Sequence, residues 1–127
     1  MKPLQALIDG MNAEWQRERA ESQMTLGKLI ERLGALPAET PIYLADPHSY
    51  RGYYCDLAFE RPDHPITAAE AIALCRRMMG AVLGGYKGGE YTMGANTPVW
   101  LAEWGCTGSK IVSIHDDGTI ETVEDDL

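Results

Sequence analysis

Six residues in two stretches carry the chemistry that this chain can offer a ligand. Arg51 and Tyr53 stand in Ser49-Tyr-Arg-Gly-Tyr-Tyr-Cys55, and Tyr86, Lys87, Tyr91 and Asn96 stand in a glycine-rich run from Gly84 to Thr97. An arginine at position 51 can make paired bonds to a phosphate or pyrophosphate, and Lys87 adds a compact positive charge. The flat faces of Tyr53, Tyr86 and Tyr91 suit a purine, each stacked base contributing ~1–3 kcal/mol. Asn96 presents both a donor and an acceptor, as an adenine edge or a ribose hydroxyl pair requires. Glycines around these side chains let the backbone turn sharply and approach a ligand closely. The same residues also suit an ordinary sheet, with the tyrosines as cross-strand pairs and Arg51 in a salt bridge.

Catalytic patterns are missing. The glycine-rich run does not end in Gly-Lys-Ser/Thr, and no Gly-x-Gly-x-x-Gly opens a helix, so nucleotide-triphosphate and dinucleotide loops are excluded. The run follows a predicted helix, so it offers no helix N-terminus to a phosphate. His48, His64 and His115 stand alone in predicted turns, without the spacing of metal ligands. Asp116 and Asp117 read as turn residues. Cys55 and Cys75 fall on predicted buried faces, where thiols are inert, and three widely spaced cysteines do not make a disulfide framework. The expectation is a protein with no catalytic residue, no metal and no cofactor.

Composition sets the frame. With 127 residues, 45% hydrophobic and 24% charged, the chain is expected to form one domain around one core. The net charge of −8 argues against DNA or RNA as a partner. Most of it sits at the end, where Ile111–Leu127 holds 6 acidic and no basic residues. No apolar run approaches the ~20 residues of a membrane span, and the first residues lack the apolar stretch of a signal peptide. A cytoplasmic protein is expected.

The elements that must position the six residues read as an α+β fold, with a small antiparallel sheet and about three helices. Within residues 1–22, Leu4, Leu7, Ile8, Met11 and Trp15 recur at helical spacing and predict an N-terminal amphipathic helix. Its apolar stripe suits either the core or a second copy of the chain. Residues 25–123 form the α+β core, and 124–127 an acidic tail. Thr25 caps a second helix that buries Leu26, Leu29, Ile30 and Leu33, with Gly34 placed to stop it. Ile42–Ala45 reads as a strand and Asp46-Pro-His48 as a turn. From Tyr53, side chains 53, 55, 57 and 59 share one strand face, and 54, 56, 58 and 60 the other. Thr67-Ala-Ala-Glu70 is a capping box for a third helix, expected to run to Gly84-Gly85. Val99–Trp104 is a strand, Gly105–Gly108 a turn, and Asp117-Gly118 the turn of a hairpin between Ile111–Ile114 and Thr119–Val123.

The run Asp46-Pro-His-Ser-Tyr-Arg-Gly-Tyr-Tyr-Cys-Asp-Leu-Ala-Phe-Glu60, with Gly85-Tyr-Lys-Gly-Gly-Glu-Tyr-Thr-Met93 and Leu101-Ala-Glu-Trp-Gly-Cys-Thr-Gly108, resembles a family of small phage-encoded proteins. That family is similar to the phage Thoeris anti-defense sponge proteins of the first type. The match covers roughly Thr25 to Ile114, and Ser-Tyr-Arg-Gly-Tyr-Tyr is its distinctive part. The resemblance implies sequestration without catalysis: a cyclic ADP-ribose isomer made by a bacterial immune sensor is bound, so its effector never fires. It also implies action inside the bacterial host as a homodimer or larger homo-oligomer, and for some members binding of cyclic oligonucleotides. The family pairs an aromatic and an asparagine about ten residues apart, a spacing that Tyr86 and Asn96 share, and Arg51 is the candidate for its phosphate arginine. Lys110 departs from the pattern, standing where an arginine is expected and leaving a second nucleotide site open. The alternative is a phage inhibitor that binds a host defense protein directly, through Trp100, Trp104 and the acidic tail.

Overall fold

A computed structural model describes residues 23–49, 56–84, 90–103 and 106–124. The N-terminal helix expected within residues 1–22 lies outside them. Among the described residues there are two helices, and the rest of the regular structure is strand. Helix α1 (Leu26–Gly34) starts where Thr25, in extended backbone, accepts the amide of Lys28 on its hydroxyl. Leu26, Leu29 and Leu33 are buried, and Ile30 packs half-buried against the core. Gly34 does not stop the helix by turning left-handed. It is the last helical residue, and the next amide, of Ala35, closes back onto the carbonyls of Arg32 and Leu33.

Helix α2 (Ala68–Met78) carries the reciprocal capping box, with Thr67 Oγ1 accepting the Glu70 amide and Glu70 Oε1 accepting the Thr67 amide, both at 3.1 Å. It ends well before Gly84. Met79 is already extended and Gly80 takes φ +79°, a conformation that costs a side-chain-bearing residue roughly 1–2 kcal/mol. Val82 therefore belongs to a strand.

Among the described residues nine strands form three sheets, which corrects the expectation of a small antiparallel sheet beside about three helices. Strands β1 (Pro41–Ile42) and β4 (Ile66–Thr67) pair, as do β5 (Val82–Gly84) and β6 (Glu90–Thr92). The main sheet is mixed and five-stranded, in the order β2 (Ala45–His48), β3 (Leu57–Glu60), β7 (Val99–Glu103), β8 (Cys106–Ile114), β9 (Ile120–Val123). Its β3–β7 pair is parallel, Ala58 opposite Trp100, and all other neighbours are antiparallel. Parallel neighbours need a long crossover, supplied here by β4, α2, β5 and β6. The alternation expected in β3 accordingly fails: Leu57, Ala58 and Phe59 are all buried, as in a strand covered on both faces.

Two expected turns are strand. Asp46-Pro47-His48 lies in β2, at a register shift against β3 where Asp46 takes φ +42°. Cys106–Gly108 opens β8, whose register against β7 also shifts, and Gly108 there has φ +89°. The hairpin at Asp117-Gly118 forms as expected, with Ile114 opposite Ile120 and Gly118 at φ +92°. Side chains of α1, α2, β3, β7 and β8 share one core, in which Phe59 and Leu57 meet Leu29, Leu33, Ala71 and Ile111.

Trp100 is fully buried, and its indole Nε1 donates to Asp56 Oδ2 at 2.8 Å, where the Asp56 side chain is itself buried. Replacing Trp100 by Phe keeps most of the apolar volume but takes this donor from a buried carboxylate. The expected loss is about 1–3 kcal/mol of unfolding free energy, read from urea melts.

Candidate functional site

Four of the six candidate residues, Arg51, Tyr53, Tyr86 and Lys87, lie outside the described residues. The structure does place the chain on either side of them. Ser49, buried, donates its hydroxyl to the carbonyl of Gly84 at 3.3 Å. Its amide donates to His48 Nδ1 at 2.8 Å, which turns the chain at the end of β2. The residue before Tyr50 thus touches the residue before Gly85. Asp56, at the other end of the first stretch, is held by Trp100 in the core.

Of the two described candidates, Tyr91 is in β6 and Asn96 follows it. Tyr91 lies directly opposite Leu83, and both pack half-buried against the core. Tyr91 is therefore partly committed to packing, as the cross-strand reading of the tyrosines requires. Asn96 is exposed in the following turn. That turn is rigidly placed, because Gly27 at the start of α1 donates its amide to the Ala95 carbonyl at 2.9 Å, and Thr97 Oγ1 accepts the Gly94 amide at 2.8 Å. Gly27 allows the approach, since a Cβ there would lie 3.0 Å from the Ala95 oxygen.

Trp100 is removed from the surface chemistry considered for it, because it is core; Trp104 lies outside the described residues. His48 belongs to a strand and not a turn, and His115 Nε2 faces Glu121 Oε1 at 3.1 Å across the β8–β9 hairpin. Among the described residues, no group of three or more His, Cys, Asp and Glu side chains is arranged to hold a metal ion. Cys75 is buried, and burial pushes its thiol up to about 12. No helix among the described residues is long and apolar enough to cross a membrane.

A second location was not foreseen from the residues. A cavity of about 390 Å³ opens beside the β8–β9 hairpin, with Leu101 of β7 as its floor. Pro41, Tyr43, Arg61 and Pro62 line it as well. The hairpin segment from Asp117 to Ile120 completes the lining. Register explains the meeting: Ala45 pairs with Glu60, so continuing two steps outward brings Tyr43 beside Pro62. The hairpin is held from two directions. Arg32 of α1 donates through Nε to the Ile114 carbonyl at 2.8 Å and through Nη2 to Asp116 Oδ1 at 2.7 Å. On the opposite side Gly118 packs on β1, where a Cβ would run into the Pro41 carbonyl oxygen. Neither of the two described candidates, Tyr91 and Asn96, lines this cavity. Only the Asp-Gly turn signalled it in the sequence, and that signal predicts a hairpin without saying what the hairpin packs on.

The chain matches no protein-family model, no curated protein and no solved structure.

Two outcomes follow from these placements. The raised Cys75 pKa suppresses the thiolate near neutral pH and burial denies access, so alkylation at Cys75 should be much slower in the folded protein than in the unfolded chain. Peptide mapping after iodoacetamide treatment, with and without urea, reads it. Gly118→Ala should destabilise the fold by about 1–2 kcal/mol from the left-handed backbone alone, with the contact on Pro41 adding to it. Thermal melts beside Gly34→Ala, which meets open space at ordinary φ, provide the comparison.

Proposed function

We propose that the protein binds and sequesters a cyclic ADP-ribose-type signal without degrading it, as a phage anti-defense sponge. The observation that supports this reading is the Ser49–Gly84 hydrogen bond, which joins the chain leading to Arg51 and Tyr53 to the chain leading to Tyr86 and Lys87. The two stretches thus leave the described structure from neighbouring points, although they are far apart in sequence. The resemblance of the Ser-Tyr-Arg-Gly-Tyr-Tyr run points to the same ligand class. In this reading Arg51 and Lys87 neutralise the pyrophosphate, Tyr53 and Tyr86 stack on the base, and Asn96 reads a base edge or ribose from a fixed turn. Tyr91 contributes only in part, since it packs half-buried against the core. A homodimer or larger homo-oligomer would let two chains complete the pocket.

The mechanism is stoichiometric. A sponge must outcompete the effector, so it needs a dissociation constant near nanomolar, about −12 kcal/mol.

Purified protein is incubated with cyclic ADP-ribose isomers and cyclic oligonucleotides, freed of unbound ligand, heat-denatured, and the released material is weighed by mass spectrometry. Intact nucleotide near one per pocket is expected. Altered nucleotide would mean turnover, and none would refute the reading. Arg51→Ala should weaken binding at least tenfold in calorimetry with the melting temperature unchanged.

A further inference from the structure

We infer that the cavity beside the β8–β9 hairpin is a second ligand site, for a small planar aromatic monocarboxylate. It does not rest on the nucleotide reading, and neither Tyr91 nor Asn96 lines it. Three observations carry it.

The first is size and lining. Ligand sites span ~300–1,000 Å³, so a cavity of about 390 Å³ suits one or two fused rings and not a cyclic dinucleotide. Pro41, Pro62, Leu101 and Ile120 are apolar, and Tyr43, 47% exposed, offers a ring face against which a flat ligand can lie.

The second is the charge ledger. Every carboxylate on the neighbouring hairpin has a partner within the protein: Asp116 with Arg32 at 2.7 Å, Glu121 with His115 at 3.1 Å, and Asp117 with the Thr119 amide at 2.9 Å. That amide bond is also the leading cause that holds the Asp117 carboxyl below its usual range. Arg61 lines the cavity and, among the described residues, has no ion pair or hydrogen bond. A guanidinium left without a partner beside apolar walls fits a carboxylate head with paired hydrogen bonds. Asp117 also lines the cavity, and its negative charge disfavours a dianion such as a phosphate monoester.

The third is rigidity. Arg32 fixes the hairpin to α1, and Gly118 fixes it to β1, so the hairpin part of the lining is in place before a ligand arrives.

The test is a methyl-detected NMR titration of the full chain with naphthalene-2-carboxylate, beside naphthalene-2-methanol and 2-naphthyl phosphate at pH 8. Saturable binding of the carboxylate that moves the Leu101 and Ile120 methyl signals is expected. The neutral alcohol and the phosphate should each bind at least tenfold more weakly. Arg61→Gln should cost tenfold or more while leaving core methyl signals in place, and Arg77→Gln, exposed on α2 outside the cavity, should cost nothing. Asp117→Asn should narrow the gap between phosphate and carboxylate. Unmoved Leu101 and Ile120 signals at millimolar carboxylate would overturn the inference. Equal binding of the alcohol, or undiminished binding by Arg61→Gln, would overturn it as well.

Discussion

The hydrogen bond from the Trp100 indole to the Asp56 carboxylate is the constraint on which the rest of the architecture depends. A carboxylate buried without partners is so costly that the chain must either keep it at the surface or bring a donor to it. Here the donor comes from the adjacent strand of a parallel pair, with Ala58 beside Trp100 in the ladder. Satisfying Asp56 therefore fixes the register of β3 on β7, and that register places Leu57 and Phe59 in the core with Val99 and Leu101. It also fixes where the Tyr/Arg run begins and ends. Ser49 is tied to Gly84 at one end, and Asp56 is tied to Trp100 at the other. Whatever the run binds, it is presented from a frame anchored at both ends.

A second frame forms where the β8–β9 hairpin is clamped between α1 and β1. Arg32 spans a long sequence separation to reach Ile114 and Asp116, and Gly118 allows the turn to lie directly on Pro41. These contacts leave a half-open concavity at the end of the sheet, since Tyr43 and Pro62 stand beyond the last paired residues of β2 and β3. The ladder's end opens the cavity and the clamped hairpin closes one side of it. Each frame thus turns a local contact into a fixed surface.

Sequence patterns were most informative where the physics is local. The Thr67/Glu70 box, the Thr25 cap and the Asp117-Gly118 turn each depend on a few neighbouring residues, and each lies where its pattern places it. The apolar series Leu26, Leu29 and Leu33 likewise names its own buried face. Non-local pairing was not legible. Nothing near Leu57 indicates that its strand partner follows a crossover of nearly forty residues and runs parallel, so a simple antiparallel sheet was the natural expectation. The helix from Thr67 looked longer because Val82 continues its apolar spacing, whereas Gly80 in left-handed backbone turns that residue into a strand. Of the candidate ligand residues, Tyr91 shows the same limit: its type suits stacking, but its position opposite Leu83 commits part of it to the core. Arg61 carried no local signal at all, because its significance comes from what the fold leaves beside it.

The central claim is that the two stretches flanking the Ser49–Gly84 contact bind one ligand together. Hydrogen–deuterium exchange with and without a cyclic ADP-ribose isomer tests it most directly. The account predicts that peptides covering residues 50–55 and 85–96 gain protection together, at the same ligand concentration. Unchanged exchange in both, or protection confined to one of them, would contradict it.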